Sequence, residues 1–355
     1  MKASWLALSM LVLGCSAARP KPYEEAAHAA ERAYSAGRYQ EAAESWLEAA
    51  AHGEPRDRQE AEYRAAASYE RGKQYDQALA IYTRLAAQKG ERAARALLAA
   101  AEIERRRGSE ERAQSLFLAA LRNHPDSGPG EIALREHVAF VKESGGVQAA
   151  LSALEPLIAE LDGSELDERL RYERARLLDE AGNTTQARDA YLDVARRHPY
   201  PEGALWDDAL FRAALCEEKL GRPQQAIQVL EGMLLEREEA HLSGSYERAR
   251  YAEARFKIAE LYRDALGEPA RARAEFRRVW NEHPTSLLRD DALFEEALIA
   301  RAQNDQAGAC RALELLLDAA PDSRFVPCAP RLCPSLKATD GRRCRDYLLR
   351  RLERD

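Results

Sequence analysis

Four cysteines near the carboxyl terminus are the residues best placed for chemistry: Cys310, Cys328, Cys333 and Cys344. Thiols grouped in this way can oxidise to two disulfides or bind zinc as four thiolates, since Cys328 and Cys333 have a zinc-ligand spacing. We predict disulfides, because the amino terminus described below indicates export to a compartment in which oxidation competes with metal binding. The spacing does not give the pairing.

Cys216 lies apart from this cluster, inside a predicted helix. A low-pKa nucleophile needs an electropositive neighbourhood, and no adjacent residue clearly supplies one. We interpret Cys216 as a small buried apolar residue, with a reactive thiol as the alternative.

The sequence shows no pattern typical of an enzyme. The seven histidines include no metal-ligand pair with a glutamate between them, and no glycine-rich phosphate loop appears. His124, His198 and His283 each directly precede a proline, which favours a role at helix ends, where a cation suits the helix dipole. Runs of charge such as residues 102–107 are typical of solvated helix faces. We therefore predict a protein that is not an enzyme and that uses no cofactor or metal.

The amino terminus indicates export. Lys2 precedes an apolar stretch, residues 5–13, that is too short to span a membrane as a helix. A positive residue followed by a short apolar run is typical of a signal peptide, which we assign to residues 1–14.

The next residues resemble a bacterial lipobox. In the run Val12-Leu13-Gly14-Cys15, the resemblance implies that Cys15 is lipidated and becomes the first residue of the mature protein. Ser16 in the following position implies the outer membrane rather than the inner one. The alternative is ordinary cleavage after Ala17. Residues 15–22 are then a lipidated cysteine and a short tether, in which prolines favour an extended chain.

Composition and charge agree with a helical, exported protein. Hydrophobic residues make up 46% of the 355 residues, aromatic residues 7% and charged residues 32%, and the net charge is −7. Loss of residues 1–14 removes one lysine and no acid. An acidic chain is a poor candidate for nucleic-acid binding, so we predict no nucleic-acid partner.

One pattern recurs eight times, at intervals of 35 to 39 residues apart from one interval of 46. Each copy has an alanine anchor, a bulky residue four positions later and a small or apolar residue seven positions later, which share one helical face. The anchors are Ala42, Ala78, Ala113, Ala150, Ala187, Ala226, Ala272 and Ala309.

Glycine and proline punctuate the copies. A glycine five residues before the anchor predicts a left-handed turn between two helices, as at Gly37, Gly108, Gly145, Gly182, Gly221 and Gly267, with Gly72 one residue earlier in copy two. A proline twelve residues after the anchor predicts the end of the second helix in four copies. Pro156 lies inside a second helix, where we expect a kink.

Helical pairs with these offsets resemble the tetratricopeptide repeat, TPR, over residues 23–322. The resemblance implies an all-α, right-handed TPR-like solenoid of about eight helical hairpins. Residues 323–355 depart from the pattern, and we predict a cysteine-rich C-terminal cap there.

In the family that this chain resembles, the first helices line a concave groove that binds peptides or helices. The resemblance therefore implies a groove built from residues at equivalent first-helix positions, together with a neighbouring polar one: Tyr63, Tyr172, Arg176, Phe211, Phe256 and Phe294. The alternative is that the aromatic rings pack between neighbouring hairpins.

Two further features concern the later repeats. Acidic pairs follow a proline and a loop at Asp207-Asp208 and at Asp290-Asp291, where they suit the start of a helix. This pattern resembles the periplasmic TPR branch that includes the lipoprotein of the barrel-assembly machinery and the cell-division coordinator. Residues 234–250 supply the excess length of the longest interval, as a docking insertion, a hinge or a longer turn.

The combined prediction is a non-catalytic scaffold or adaptor of an envelope complex, held by lipid at the periplasmic face of the outer membrane. Its expected partners are envelope proteins, bound as peptide or helix segments in the groove. Two alternatives stay open: an accessory lipoprotein that binds peptidoglycan or glycan, and a pilotin-like or motility-linked assembly factor.

Overall fold

The computed structural model describes residues 19–88, 90–236, 248–337 and 342–352. Every regular element within these residues is a helix, as the sequence predicts. The predicted signal peptide and Cys15, the predicted lipidation site, lie outside the described residues. None of the described helices combines the length and the apolarity that crossing a bilayer demands.

The chain divides into two compact units. The first comprises the residues up to 143 together with 164–166. Its complete helices are α1 (Lys21–Ser35), α2 (Tyr39–His52), α3 (Pro55–Arg71), α4 (Tyr75–Ala86), α5 (Glu91–Arg106) and α6 (Glu110–Asn123). They form three helical hairpins, α1 with α2, α3 with α4, and α5 with α6.

Helix α7 (Gly128–Glu160) contributes residues to both units and contains two helical stretches that are broken at Gly146. The helix continues through Pro156 to its end, so the proline does not interrupt it, and the kink that we expected there stays a prediction. A glycine adopts the left-handed conformation of this break, φ 78°, without steric cost.

The second unit comprises residues 144–163 and those from 167 onward. It contains α8 (Asp167–Glu180), α9 (Thr184–Arg197), α10 (Trp206–Lys219), α11 (Pro223–Leu235), α12 (Arg250–Glu260), a π-helical turn (Leu261–Ala265), α13 (Pro269–Glu282), α14 (Arg289–Ala302) and α15 (Gln306–Ala319). These helices form four more hairpins. A 3₁₀ turn (Val326–Cys328), α16 (Ala329–Leu332) and α17 (Asp346–Leu352) follow.

The alanine anchors form the contact that defines every repeat. All eight are at most 1% exposed, and the residues four and seven positions later are at most 5% exposed. An alanine side chain lets two helices approach closely, while the larger residues on the same face fill the space on either side. The predicted repeat register is therefore confirmed.

The turn position is set by its distance from the anchor more strictly than by residue type. In seven copies the residue five positions before the anchor has a positive φ of 61–77°: Gly37, Lys73, Gly108, Gly182, Gly221, Gly267 and Asn304. Gly72 was the wrong choice in copy two, because its φ is −77° and Lys73 takes the left-handed position. Gly145 was also the wrong choice in copy four, because the next residue, Gly146, has the positive φ.

Helices α6, α9, α13 and α15 each end two residues before a proline, as predicted. The intervening residue in the first three is a histidine. Burial lowers the pKa of His124, so its neutral form dominates at neutral pH and the expected cation–dipole interaction does not apply there. His198 Nε2 instead lies 3.1 Å from Asp167 Oδ2.

Acidic residues at the starts of first helices join one repeat to the next in the second unit. The Glu168 carboxylate accepts hydrogen bonds from the backbone N–H groups of Ala204 (3.1 Å) and Leu205 (2.8 Å), directly before α10. The Asp208 carboxylate accepts a hydrogen bond from Arg250 Nε at 2.6 Å, at the start of α12. We call these contacts the inter-repeat latches.

A third latch joins the last repeat to the cap. Asp290 accepts a hydrogen bond from the Ser323 hydroxyl at 2.7 Å, and Asp291 pairs with Arg324. The acidic pairs thus do more than interact with a helix dipole, because they bind side chains or backbone about 30 to 45 residues further along the chain.

The cap packs on the last hairpin and is covalently tied to it. Cys310 in α15 is bonded to Cys333, and Cys328 is bonded to Cys344. Phe325 stacks on Phe294 with ring centroids 4.3 Å apart, in a cluster that also contains apolar residues of α17. All four thiols are used in disulfides, so they do not form the alternative zinc site.

The long interval between repeats six and seven is only partly described. Helix α11 ends at Leu235 and α12 begins at Arg250, and residues 237–247 lie outside the description. Arg248 donates to the backbone oxygens of Gly203 and Pro201, both at 2.6 Å. The end of the insertion is therefore held against the loop before α10.

The anchor contact makes a direct prediction for helix α4. Ala78→Leu should lower the free energy of unfolding by about 1–3 kcal/mol, because the larger side chain forces the two helices of the hairpin apart. Ala80→Leu in the same helix is the matched control, since Ala80 is exposed and its substitution should change stability by less than about 0.5 kcal/mol. Urea unfolding measures both, and equal losses would contradict the anchor role.

Candidate functional site

The aromatic residues of the predicted groove pack mainly inside their own hairpins. Ring centroids of Tyr63 and Tyr82 lie 5.5 Å apart, and those of Phe256 and Phe276 lie 5.0 Å apart. In both pairs the second ring belongs to the residue four positions after the anchor. The repeated aromatic position therefore contributes first to hairpin packing.

Exposure divides the predicted groove residues into two groups. Phe294 is 0% exposed and Tyr172 is 6% exposed. Phe294 cannot contact a ligand in the groove, because the cap residue Phe325 covers it. Tyr63, Phe211 and Phe256 are partly exposed, so their proposed role in binding stays a prediction.

Tyr172 belongs to a polar junction centred on Asp208. The Asp208 carboxylate accepts hydrogen bonds from the Tyr172 hydroxyl, from Arg212 Nε at 2.8 Å and from Arg250. Burial alone raises the pKa of Asp208, but the hydrogen bonds from Tyr172 and Arg212 outweigh burial and hold this pKa below its usual value. The junction thus keeps a charged carboxylate, paired with two guanidinium groups, on the first helices.

Phe211 and Arg176 lie beside this junction. Arg250 sits 5.2 Å from the centroid of the Phe211 ring, in a cation–π contact. The Arg176 side chain, 39% exposed, donates to Glu173 at 2.8 Å. The structure therefore places these predicted residues on first helices, within a surface of paired charges.

A cleft that the sequence did not reveal lies on the first helices of the first unit. It encloses about 460 Å³. Its lining includes Tyr34 from α1, Trp46 from α2, and Arg64 and Ala67 from α3. Arg64 lies 4.9 Å from the Trp46 ring centroid, and Tyr34 is 41% exposed. Arg64 is also ion-paired with Glu60 at 2.8 Å and with Glu31 at 3.4 Å, so the cleft combines aromatic surface with paired charges.

Sequence reasoning missed this cleft for a simple reason. Tyr34 does not occupy the aromatic position shared by the other first helices, and Trp46 has the pattern of a core residue. The only feature of the sequence that could have indicated the cleft was Tyr34, a tyrosine near the end of α1 to which the repeat pattern gives no role.

A second cleft of about 530 Å³ lies in the second unit, among the π-helical turn, α14 and α17. Glu295 is its central charge: Oε2 lies 2.5 Å from Arg263 and 2.5 Å from Arg351. Leu298 and Ile299 supply an apolar wall. The charges of this cleft are therefore paired with one another.

No group of three or more metal-binding side chains is found among the described residues. Cys216 is 0% exposed, and burial raises the pKa of its thiol to about 11. The thiol is therefore protonated at neutral pH, in agreement with the structural role that we predicted for it.

Comparison with known families identifies the repeats. Tetratricopeptide-repeat models match residues 172–241 and residues 60–88, 253–286 and 291–323. The matched segments coincide with the hairpins α3/α4, α8/α9, α10/α11, α12/α13 and α14/α15. These parts of the chain carry tetratricopeptide repeats, which generally serve as non-catalytic scaffolds for protein–protein interaction.

Solved structures show more distant similarity. Pseudomonas aeruginosa pilF is 18% identical, with 65% of this chain and 93% of that chain covered and a TM-score of 0.39. A tetratricopeptide repeat protein from Parabacteroides merdae is 17% identical, with coverages of 88% and 99% and a TM-score of 0.35. These values are too low to support an inference about function. No curated protein sequence matches this chain.

The Asp208 junction makes a prediction about pH. Asp208→Asn should lower the free energy of unfolding of the second unit by about 2 kcal/mol at pH 7, because the two arginines and Tyr172 lose a charged acceptor. The folded-state pKa is depressed, so this stabilisation is present above the unfolded pKa of about 3.9 and is lost as pH falls through the folded pKa. Urea unfolding at neutral and at strongly acidic pH should therefore show a difference that shrinks in acid.

Asp318→Asn is the control for this experiment, since Asp318 is exposed near the end of α15. It removes the same charge without touching the junction. A variant at position 208 that behaves like this control at pH 7 would show that the junction does not stabilise the fold.

Proposed function

We propose that this chain, whose hairpins carry tetratricopeptide repeats, is a non-catalytic adaptor of the bacterial cell envelope that binds a protein segment on its first helices. The observation that carries this proposal is the cleft around Tyr34 and Trp46. It is open and partly apolar, and Arg64, Ala67 and Ser68 in its lining belong to a matched repeat, residues 60–88.

The chemistry of the cleft indicates what it would bind. The Tyr34 ring is rigid and amphipathic, and such residues supply much of the binding energy at protein interfaces. Arg64 and Glu31 form an ion pair at 3.4 Å, and their side chains are 46% and 55% exposed, so a partner meets a paired cation and carboxylate at the cleft. A helix or extended segment with an apolar anchor and neighbouring polar groups fits this surface.

The cap supports the cellular location that we propose. Disulfides persist in oxidising compartments, and two of them hold the cap in place. Together with the lipobox-like run ending at Cys15, they favour an exported protein anchored by lipid at the periplasmic face of the outer membrane.

Site-specific photocrosslinking in cells tests the adaptor role. A photoreactive phenylalanine analogue at position 34 should form an adduct with a defined protein partner, whereas the same group at position 287 should not. Leu287 is the matched position, because it is 92% exposed and is not part of the cleft. Tyr34→Ala should then weaken binding of the identified partner about tenfold or more, as loss of an interface anchor does.

Two outcomes would contradict the adaptor role. One is a lack of any protein adduct specific to position 34. The other is sedimentation of the protein with purified peptidoglycan that Tyr34→Ala abolishes, which would assign the cleft to glycan binding.

The proposed lipid attachment at Cys15 has its own test. Cys15→Ser should move the protein from the membrane fraction to the soluble exported fraction after a high-salt wash, because one cysteine carries the whole lipid attachment. Metabolic labelling with a fatty acid should label the parent chain and not this variant. A variant that stays with washed membranes would show that lipid on Cys15 is not the anchor.

A further inference from the structure

The cap, residues 323–355, has a charge opposite to that of the whole protein. It contains nine basic and four acidic residues, a net charge of +5, whereas the complete chain has a net charge of −7. The excess of acid must therefore lie in the repeats, and the cap is a strongly basic end of an acidic chain. Eight of the basic residues lie among the described residues 323–337 and 342–352.

Three of the eight basic side chains are used inside the fold. Arg324 pairs with Asp291, and Arg351 lies 2.5 Å from Glu295. Arg342 donates to the backbone oxygens of Asp322 (2.9 Å) and Pro321 (2.7 Å). These contacts attach the cap to the last hairpin.

The other five basic side chains are exposed and form no ion pair with another described residue: Arg331, Lys337, Arg343, Arg345 and Arg350. We call them the basic surface. None of the ion pairs between described residues uses these charges, and the excess of basic over acidic residues in the cap favours an anionic binding partner.

The disulfides hold most of these charges in place. Arg343 and Arg345 flank Cys344, and Arg331 lies two residues before Cys333. The Cys328–Cys344 disulfide brings Arg343 and Arg345 near Arg331, which follows Cys328 by three residues, and both disulfides restrain the backbone that carries these arginines.

Helix α17 adds an aromatic residue to this surface. Leu348 and Leu352 are buried in the core of the cap, whereas Tyr347 is 45% exposed and Arg350 is exposed. A tyrosine among arginines is suited to the headgroup region of a bilayer, where its ring is partly desolvated and its hydroxyl stays hydrated.

We propose that the basic surface docks the cap on an anionic phospholipid bilayer. Clusters of four to eight basic residues are typical of segments that bind anionic headgroups, and the five exposed charges fall in this range. The proposal rests on the membrane location in the proposed function, but it concerns a contact that does not involve Cys15. With a lipid at one terminus and the cap at the other, the chain would have two membrane contacts.

Vesicle sedimentation tests this proposal on the mature chain carrying Cys15→Ser, which has no acyl anchor. The protein should bind vesicles that contain phosphatidylglycerol and not pure phosphatidylcholine vesicles, and high salt should release it. The combined variant R343Q/R345Q/R350Q should weaken binding on the order of a hundredfold, since each basic residue near an anionic surface contributes roughly a factor of five.

The matched control removes three exposed arginines from the first unit, as R32Q/R56Q/R112Q. It should bind like the parent chain, although its net charge is equally reduced. Thermal unfolding checks that both triple variants fold. Equal loss of binding in the two variants would overturn the basic surface as the docking site.

Two further results would overturn the proposal. One is binding to anionic vesicles no stronger than to neutral ones. The other is tight binding to soluble polyglutamate without binding to vesicles, which would assign the basic surface to an acidic protein. Neither result bears on lipidation of Cys15 or on the cleft at Tyr34, so failure here is distinguishable from failure of the adaptor role.

Discussion

The close approach of two helices at a buried alanine is the constraint on which every repeat depends. With at most 1% of each anchor exposed, the two helices of a hairpin leave no space for a larger side chain at the crossing. The turn must then begin at a set distance before the anchor. Copy two obeys this geometry even though Lys73, which lacks the conformational freedom of glycine, must take a positive φ.

Packing explains why the repeated aromatic position serves the hairpins before it serves binding. The rings of Tyr63 and Phe256 contact the large residue of their own second helix, and Phe294 is covered by the cap. Surface for a partner is left beside Tyr34 in the first hairpin, where the tyrosine lies outside the repeated aromatic position and is 41% exposed.

Charge has a different use in the repeats and in the cap. In the second unit, acidic residues at helix starts accept hydrogen bonds from arginines, serine or backbone N–H groups, and these latches join successive hairpins. In the cap, a few arginines complete such contacts and the others remain exposed. The first arrangement stabilises the fold, and the second leaves net charge available to a partner.

The helical class, the repeat register, the helix ends at proline and the presence of two disulfides could be predicted from the sequence, because these depend on local spacing and residue type. Tertiary structure decided that Cys310 pairs with Cys333, that Phe294 is inaccessible and that Trp46 borders a cleft. Each of these facts depends on which distant residues meet across packed helices. A repeat pattern gives the position of a side chain along its helix, but its exposure depends on the neighbour that covers it.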